Sequence, residues 1–481
     1  MAANHQILRS TVYLTVSRIV GDLVYVVFYV LFSRAFGRVG VGLYAFVLEF
    51  SGTLFIVADY GLSQYLVREI SRKKDQLPQY LGTFMVLKGF SMLVIFGVMV
   101  WLAPLFHLDQ RGIWALLVIG LAQACYTFGE LLRSAFAAHE RLAEVAWADF
   151  LYKCGIAAFG ISLLALHRPF EEVLWAFPIS GTMYLLTLLI AVWTRLGRPV
   201  LRLDPVITKE ALAGSFHFFL FGVCVDLYPS LTVILLKHFK GEAVCGVFAV
   251  PQKIMAVLVV MFMFYRMALF PNLSRLYHES REAHRELCSS AFKYLAMLVV
   301  PLALLLFLTA DKIILSTFGA EFEPSIPVFK ALCAYLLCIG LKYVLAAVLS
   351  SIDKQDKLVL AHGVGLVVHL TALLLVVPQW GALGAAVVLA ASEGAVCLMA
   401  YRMAVVQLGG LPWRHILPRP LVAAAVVGLL VMLMKTLPIF IVFPVGVLTG
   451  LACLVLIGGI RKSDLRFVRN SLSWRRLEVT E

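Results

Sequence analysis

The chain has 481 residues, of which 62% are apolar and only 14% are charged, and its mean hydropathy is +0.92. Soluble domains contain roughly 25% charged residues, so this composition excludes an ordinary soluble protein and indicates a membrane protein. The net charge of +13 is explained by basic loops beside anionic lipid, and it does not indicate nucleic-acid binding.

Neither the cysteines nor the first residues suggest processing or metal chemistry. The nine cysteines are scattered singly, without a CxxC or Cys/His cluster, which predicts small buried side chains rather than metal ligands or disulfides. The opening MAANHQILRS carries one basic residue, and the apolar segment after it is too long for a signal peptide. We therefore expect the N-terminus to be retained and the first helix to span the membrane.

The first apolar hairpin, residues 11–66, predicts a polar interior. Each half is long enough to cross a hydrocarbon core of about 30 Å. The first half nevertheless carries Arg18 and Asp22, and the second carries Glu49 and Asp59. One charge at the centre of a lone membrane helix costs about 2.5–3.5 kcal/mol. Four such charges are tolerable only if they face one another or a wet cavity.

Hydropathy predicts about fourteen spans in an all-α integral membrane protein. After the hairpin, which supplies two spans joined by the link RAFGRVGV, the predicted spans are 80–106, 112–134, 145–166, 171–193, 211–236, 243–270, 292–309, 326–350, 358–377, 380–404, 417–436 and 437–459. Only KTLP separates the last two, so thirteen is the alternative count.

Loop charges predict the orientation. One alternate set of links, including both termini, contains roughly 25 basic residues and the other roughly 8, so the first set is expected to be cytoplasmic. The tail 461–481 mixes arginines with Leu465, Phe467, Leu472 and Trp474. It is predicted to be a cytoplasmic basic segment, either a short amphipathic helix at the headgroups or a simple anchor of topology.

An internal echo predicts a duplicated six-helix unit. Gly42-Leu-Tyr-Ala opens the second span after a basic link, and Gly246-Val-Phe-Ala opens the eighth after a similar link. Such repeats commonly form two bundles with the substrate site near the membrane midplane. The predicted domains are an N-terminal bundle (1–200), a C-terminal bundle (201–408), helices 13–14 (409–460) and the tail.

The same stretch resembles a known family. SRAFGRVGVGLYAFVLEFSGTLFIVADYGLSQYLVREISRKK, with Asp59, Gly61, Leu62, Ser63 and Arg68, looks like the opening of the polysaccharide-repeat-unit flippases, which belong to the multidrug/oligosaccharidyl-lipid/polysaccharide (MOP) exporter superfamily. Further matching features are Pro271 and the segment VVPQWGALGAAVVLAASEGAV. In one departure, many relatives carry an Asp-Arg pair late in the seventh span, where this chain has Leu231-Thr232.

The resemblance implies a MATE-like fold and a transport function without bond chemistry. It implies export of polyprenyl-(pyro)phosphate-linked oligosaccharide repeat units, of the undecaprenyl-pyrophosphate type, across a bacterial inner membrane for O-antigen, exopolysaccharide or capsule synthesis. Implied partners are membrane lipids and the polysaccharide polymerase and chain-length proteins. No phosphate-binding loop or catalytic dyad is visible in the sequence, so we expect neither an enzyme nor a cofactor.

Basic residues deep in the spans are the candidate ligands of the substrate phosphate, because fixed cations replace its hydration. The candidates are Arg18, Lys88, Lys253, Lys342, Lys153 and Arg266. The alternative for the first four is structural pairing with Asp22, Glu49 or Asp226. Lys153 can instead pair with Asp149 one turn away, and Arg266 and Lys330 lie near enough to a helix end to snorkel.

Acidic residues at depth are candidates for coupling to H⁺ or Na⁺. They are Asp22, Glu49, Asp226 and Glu393, and membrane potential alone is the alternative drive. His217 and His369 are expected to be satisfied bundle histidines rather than proton relays.

Other functions stay open from the sequence alone. A drug or cation antiporter of the same fold predicts an acidic or aromatic cavity, which the excess of deep lysines disfavours. A peptidoglycan-precursor flippase shares the mechanism and differs in glycan. A scaffold or an integral glycosyltransferase is the non-transport alternative, and the latter usually needs a longer soluble loop than this chain offers.

Overall fold

The structure is a computed structural model that describes the backbone of residues 2–408, 410 and 413–458. The side chains of residues 2–19, 142–144, 221, 224–226, 406–408, 413 and 415 lie outside the description. The predicted roles of Arg18 and Asp226, and the predicted tail 461–481, therefore fall outside the described residues.

The described residues form helices and contain no strand, which confirms the all-α prediction. The helices are α1 (Ala2–Asp59), α2 (Leu62–Ile70), α3 (Leu77–Leu102), α4 (Gln110–Ala138), α5 (Leu142–Ala165), α6 (Phe170–Val173), α7 (Ala176–Arg195), α8 (Pro205–Lys240), α9 (Glu242–Glu279), α10 (Arg281–Leu308), α11 (Ala310–Phe318), α12 (Ser325–Ser351), α13 (Gln355–Leu408), α14 (Trp413–Ile416), α15 (Pro418–Leu433) and α16 (Ile439–Leu456). Within this set, ten helices are long and apolar enough to cross a membrane.

Two of these helices are interrupted internally. α1 leaves helical geometry at Gly37 (φ 61°, ψ −166°), and α13 does so at Gly381 (φ 55°, ψ −135°). Gly37 lies inside the predicted link RAFGRVGV, and Gly381 lies at the start of the predicted span 380–404, beside the link that precedes it. A single non-helical glycine thus stands in or beside each expected short loop. The predicted number of fourteen spans stays a prediction.

The starts of α4 and α8 are each capped by an aspartate side chain. Asp109 accepts a hydrogen bond from the backbone N–H of Gly112 at 2.7 Å at the start of α4. Asp204 accepts from Val206 and Ile207, with Pro205 as the first residue of α8. Such caps satisfy N–H groups that a helix leaves unpaired at its N-terminus, so they fix where each span begins.

Many large apolar side chains are exposed and several polar ones are buried, as expected of a protein in lipid. Phe440 is 83% exposed, whereas Lys88 and His369 are completely buried. Large apolar side chains on the outside of α3, α13 and α16 are also well exposed: Leu93, Trp101, Val367, Leu375 and Leu456. This arrangement, with ten apolar helices, makes the chain a multi-pass membrane protein.

The contacts divide the chain into two compact units. Unit 1 comprises residues 1–250 and 366–385, and unit 2 comprises residues 251–365 and 386–481. The core of unit 1 includes Leu66, Phe84, Phe136, Tyr184 and Leu188 from α2, α3, α4 and α7. These units are defined by contacts, whereas the predicted boundaries at 200/201 and 408/409 follow a proposed duplication and stay predictions.

In unit 2, α15 and α16 pack against α10. Leu305, Val427, Val431 and Val442 form one buried cluster there, and Met297, Ala423 and Leu454 form another. The two C-terminal helices therefore contribute to the core of this unit.

The two copies of the sequence echo contact each other within unit 1. A Cβ atom on Gly42 would lie 1.8 Å from the carbonyl oxygen of Glu242, and one on Gly246 would lie 2.0 Å from that of Arg38. Glu242 and Arg38 each stand four residues before the glycine of their own copy. Each copy thus makes the same contact with the other, as expected when two segments of a chain are related by a twofold axis. Any larger side chain at either glycine would force these helix starts apart.

Candidate functional site

A buried lysine in unit 1 is held by the break between α1 and α2. Lys88 of α3 forms an ion pair with Asp59 Oδ1 and donates a hydrogen bond to Ser63 Oγ at 3.1 Å. Ser63 Oγ in turn donates to Asp59 Oδ1 at 2.6 Å. The Lys88 side chain is completely buried, and that of Asp59 is 17% exposed. The three groups satisfy one another, which is what a buried charge requires.

The backbone between Asp59 and Ser63 explains the motif Asp-x-Gly-Leu-Ser. Tyr60 and Gly61 both have positive φ (48° and 74°) and separate the two helices. A Cβ on Gly61 would lie 2.7 Å from the backbone nitrogen of Phe219, so α8 requires glycine here. The Tyr60 ring stacks on Phe219 with centroids 5.0 Å apart. The break thus places Asp59 and Ser63 where both side chains contact Lys88.

A second lysine of unit 1 pairs with α1. Lys153 Nζ of α5 lies 2.5 Å from Asp22 Oδ1, and the two side chains are 21% and 25% exposed. The aliphatic part of Lys153 covers Gly21, where a Cβ would lie 2.9 Å from Lys153 Cδ. Lys153 therefore pairs with Asp22 of α1, whereas the spacing in the sequence predicts Asp149, one turn away, as its partner.

Other deep polar groups of unit 1 also have partners. Glu49 Oε2 accepts a hydrogen bond from Ser230 at 2.7 Å. His369 Nε2 lies 3.1 Å from both Thr232 Oγ1 and the carbonyl oxygen of Tyr228. Thr232 stands in the dipeptide that departs from the resembled family's Asp-Arg pair. His369 makes the hydrogen bonds expected of a satisfied bundle histidine, whereas His217 is exposed.

Unit 2 contains a third buried pair. Lys342 Nζ of α12 lies 2.9 Å from Glu393 Oε1 and 2.8 Å from Glu393 Oε2, both in the second half of the interrupted helix α13. Lys342 is 9% and Glu393 4% exposed. The sequence placed both residues among its candidates, the lysine as a phosphate ligand and the glutamate as a coupling group, without pairing them.

Two more polar groups belong to this region of unit 2. Arg266 of α9 is half-buried and interacts with Tyr343 of α12. His362 of α13 is buried, its Nδ1 lies 2.8 Å from the carbonyl oxygen of Leu358, and it interacts electrostatically with Lys342, Glu393 and Arg266. We call these four residues, Arg266, Lys342, His362 and Glu393, the unit 2 cluster.

The remaining candidates lie apart from this cluster. Lys253 is half-buried on α9, thirteen residues before Arg266. At 1.5 Å per residue, about 20 Å of helix separates their Cα atoms, too far for one phosphate to bind both. Lys330 lies over the Phe307 ring, 5.5 Å from its centroid. Among the described residues, no three metal-ligating side chains come together.

The role of these residues as substrate ligands stays a prediction, but their partners are now defined. The sequence analysis identified Asp59 as a deep charge and, together with Ser63, as part of a family motif, but it assigned neither residue a partner. Their i, i+4 spacing was the available sign that both could serve one cation. Nothing in the sequence indicated His362.

A family model described as "Polysaccharide biosynthesis protein" matches residues 7–277, more than half of the chain. The chain belongs to this polysaccharide biosynthesis family. The match confirms the predicted family and includes the Lys88, Lys153 and Arg266 positions. A comparison with curated protein sequences finds no match.

Solved structures show how this member of the polysaccharide biosynthesis family is folded. "Lipid II flippase MurJ, inward closed conformation" is similar over 95% of this chain and 99% of its own, with a TM-score of 0.76 and 13% identity. An inward-facing multidrug resistance MATE family transporter of the MOP superfamily is similar over 83% and 98%, with a TM-score of 0.68 and 15% identity.

A third similar structure is a MOP superfamily transporter from Pyrococcus furiosus, described by the reverse polarity of its binding pocket. It covers 84% of this chain and 96% of its own, with a TM-score of 0.56 and 14% identity. At such identities these likenesses concern the fold alone. They confirm the predicted MATE-like fold for this family member.

Proposed function

We propose that the protein flips polyprenyl-(pyro)phosphate-linked oligosaccharides from the cytoplasmic to the outer leaflet by alternating access, for synthesis of a surface polysaccharide. The observation that carries this proposal is the polysaccharide biosynthesis family match over residues 7–277 in a chain with ten apolar helices. The proposal includes a bacterial inner-membrane location with both termini cytoplasmic, which rests on the loop charges.

The chemistry of the cargo explains why buried cations belong in such a protein. An unaided crossing would desolvate the phosphate and every sugar hydroxyl, at several kcal/mol for each group. Lysine and arginine side chains in the membrane interior substitute for the lost hydration of the phosphate, while the polyprenyl tail stays in lipid. No covalent bond is made or broken, so the activity proposed is transport.

The direction of export can follow from the membrane potential. Moving one charge across 100 mV is worth about 2.3 kcal/mol, so a headgroup of charge −2 gains about 4–5 kcal/mol on leaving an inside-negative cell. The coupling candidates Asp22 and Glu393 are paired with lysines, and Glu49 accepts from Ser230. Their use of H⁺ or Na⁺ is therefore part of the proposal and requires each to leave its partner.

A reconstitution experiment tests the function. Purified protein in liposomes should move a fluorescent lipid-linked oligosaccharide between leaflets, as measured by a membrane-impermeant quencher or glycosidase. Protein-free liposomes, and liposomes with an unrelated membrane protein, supply the baseline. Equal movement in all three, with the protein folded and correctly inserted, would overturn the proposal.

The likeness to the lipid II flippase over 95% of the chain favours one second candidate, a peptidoglycan-precursor flippase. The same liposomes distinguish the two. Movement of lipid II but not of a lipid-linked repeat unit would assign the protein to cell-wall synthesis, and the opposite result would assign it to surface polysaccharide.

A further inference from the structure

The Glu393 carboxylate has an unusual environment for a buried ion. Both of its oxygens lie within 3 Å of Lys342 Nζ, which donates its hydrogen bond to Oε1. Oε2 is buried and, beyond its 2.8 Å contact with this ammonium group, has no further hydrogen-bond partner among the described residues. A buried charge is stable when additional hydrogen bonds satisfy its remaining lone pairs. Both oxygens of Glu393 are thus held by a single ammonium group, and no second donor among the described residues stabilises the carboxylate.

A second cation of the unit 2 cluster has no acidic partner. Among the described residues, Arg266 forms no ion pair, and its electrostatic partner is Tyr343. The cluster therefore contains two fixed cations, Lys342 and Arg266, against one carboxylate, Glu393. With His362 neutral, the excess is one positive charge. Because Arg266 is half-buried, this excess of positive charge is only partly hydrated, and it favours an anion.

We propose that the phosphate of the polyprenyl-linked cargo binds Arg266 and Lys342 by displacing Glu393, which takes up one proton as it leaves Lys342. This inference rests on the proposed function and names the anion site and its coupling group. The balance is simple: the phosphate replaces the carboxylate at Lys342, and the released carboxylate becomes a carboxylic acid. When the cargo departs, Glu393 loses the proton and pairs with Lys342 again.

The proton follows from the cost of the alternative. A displaced carboxylate that stayed ionised in this interior would be an unpaired buried charge, which typically costs several kcal/mol. Protonation removes that cost and leaves a group able to donate a hydrogen bond. Binding of the headgroup and uptake of one proton are thereby linked, and the headgroup binds more tightly as the pH falls.

The lysines of unit 1 lack these properties. Lys88 has both Asp59 and Ser63, and Lys153 has Asp22 in a pair that is a fifth to a quarter exposed. Each of these lysines is neutralised by one carboxylate, so neither pair has an excess positive charge that would attract a phosphate. Lys237 and Glu242 of unit 1 form a further pair, with 3.1 Å between Nζ and Oε1 and side chains 9% and 22% exposed. This pair has no role in the proposed function and serves as the matched control for Lys342–Glu393.

Other titratable groups lie near Glu393, and the experiment must distinguish their proton uptake from that of Glu393. They belong to the three helices that build the cluster: Arg266 on α9; Tyr335, Cys338, Lys342 and Tyr343 on α12; and His362 and Cys397 on α13. Of these, His362 is the group whose ordinary pKa lies nearest to physiological pH. The variant His362→Gln therefore belongs in the test.

The test is calorimetric titration of the full-length purified protein with farnesyl pyrophosphate, at pH 6 and pH 8, in buffers of different ionisation enthalpy. The heats in different buffers count the protons taken up. Because the ionisation of the probe is common to all variants, each variant is compared with the wild type. We expect the wild type to take up about one proton more than Glu393→Gln, and His362→Gln to behave as the wild type.

Affinities provide the second measurement. At pH 8 Glu393→Gln should bind the probe at least about tenfold more tightly than the wild type, a change of about 1.4 kcal/mol, and should lose the extra dependence on pH. Arg266→Gln should bind at least about tenfold more weakly. Lys237→Gln and Glu242→Gln should leave affinity and proton uptake unchanged.

Three results would overturn the inference. Glu393→Gln could take up as many protons on binding as the wild type, or Arg266→Gln could bind the probe with wild-type affinity. The third is that His362→Gln, and not Glu393→Gln, takes up one proton fewer than the wild type. If Glu393→Gln does not fold, the neutral pair Lys342→Gln/Glu393→Gln replaces it, and it should lose proton uptake while keeping weakened binding. A protein that shows linked binding but moves no lipid-linked sugar in liposomes would refute the proposed function and retain the site. Movement of that sugar without linked binding would refute the site alone.

Discussion

The ion pairs of unit 1 and the cluster of unit 2 use the same residue types in different balances. In unit 1, Lys88 is matched by Asp59 with a serine completing its contacts, and Lys153 is matched by Asp22. In unit 2, Lys342 forms an ion pair with Glu393, while Arg266 has no acidic partner among the described residues. The comparison teaches that burial of a cation does not by itself indicate a ligand site. The excess of cations over carboxylates is the better criterion.

The break between α1 and α2 strengthens this distinction. Tyr60 is a non-glycine residue with positive φ, which is uncommon and energetically unfavourable. The compensation is the contact of Asp59 and Ser63 with one fully buried lysine. We therefore regard the Lys88 contacts as the element that holds this break, and we expect variants there to affect stability before transport.

The largest predicted effect follows from removing that lysine. Lys88→Met leaves Asp59 without its cation in the interior of unit 1, and breaking a buried pair on one side typically costs about 3–5 kcal/mol. We expect the free energy of unfolding to fall by an amount near the lower end of this range, since Asp59 is 17% exposed. Denaturant unfolding in detergent measures it. The double variant Lys88→Met/Asp59→Asn, which has no buried charge, should recover most of the loss.

If Lys88→Met instead keeps the stability of the wild type but stops transport, the comparison between the units breaks down. Lys88 would then be a ligand like those proposed in unit 2.

A smaller loss is expected from the serine of the same group. Ser63→Ala removes the hydrogen bonds to Asp59 and from Lys88 while keeping the ion pair. Hydrogen bonds to charged groups contribute about 1.5–3 kcal/mol, so the free energy of unfolding should fall by about 2 kcal/mol. Ser162→Ala is the control, because Ser162 is exposed and bonds only to a backbone carbonyl of its own helix, that of Ala158. Equal losses in both variants would contradict the assignment.

These cases show what the sequence could and could not predict. Hydropathy predicted the all-α membrane fold because apolar length is a local property that lipid imposes on every span. It also predicted one link that contains the break of α1 and another beside the break of α13. The cost of deep charges correctly indicated a polar interior, and the family motif located the Asp59–Ser63 segment.

The partners themselves could not be predicted, because they depend on which helices pack together. Lys88 meets a carboxylate 29 residues away, Lys342 one 51 residues away and Lys153 one 131 residues away. For Lys153 the local candidate was Asp149 at i, i+4, a spacing that is worth only about 0.2–0.5 kcal/mol. Tertiary packing of α1 on α5 overrides so small a preference.

The second pair of unit 1 allows a direct exchange of charges. Asp22→Lys and Lys153→Asp, made singly, should each lower the free energy of unfolding by about 1 kcal/mol, because the pair is partly exposed and solvent screens it. The double exchange should restore the free energy of unfolding to within about 0.5 kcal/mol of the wild type. The corresponding exchange Lys342→Glu/Glu393→Lys should restore folding but not proton-linked binding. Full activity of both exchanges would remove the distinction between the units.

The smallest predicted change in stability belongs to Arg266. Because this side chain has no ion pair among the described residues, Arg266→Gln should alter the free energy of unfolding by at most about 0.5 kcal/mol, as for residues outside buried networks. Transport of the lipid-linked cargo in liposomes should nevertheless fall, since the anion site loses its unmatched cation. Arg266→Lys keeps the charge but not the bidentate geometry and should recover part of the transport. A residue that only packs against Tyr343 would give the reverse pattern, with lower stability and normal transport in the glutamine variant. The ratio of these two effects therefore decides whether the excess positive charge of unit 2 serves the cargo or the fold.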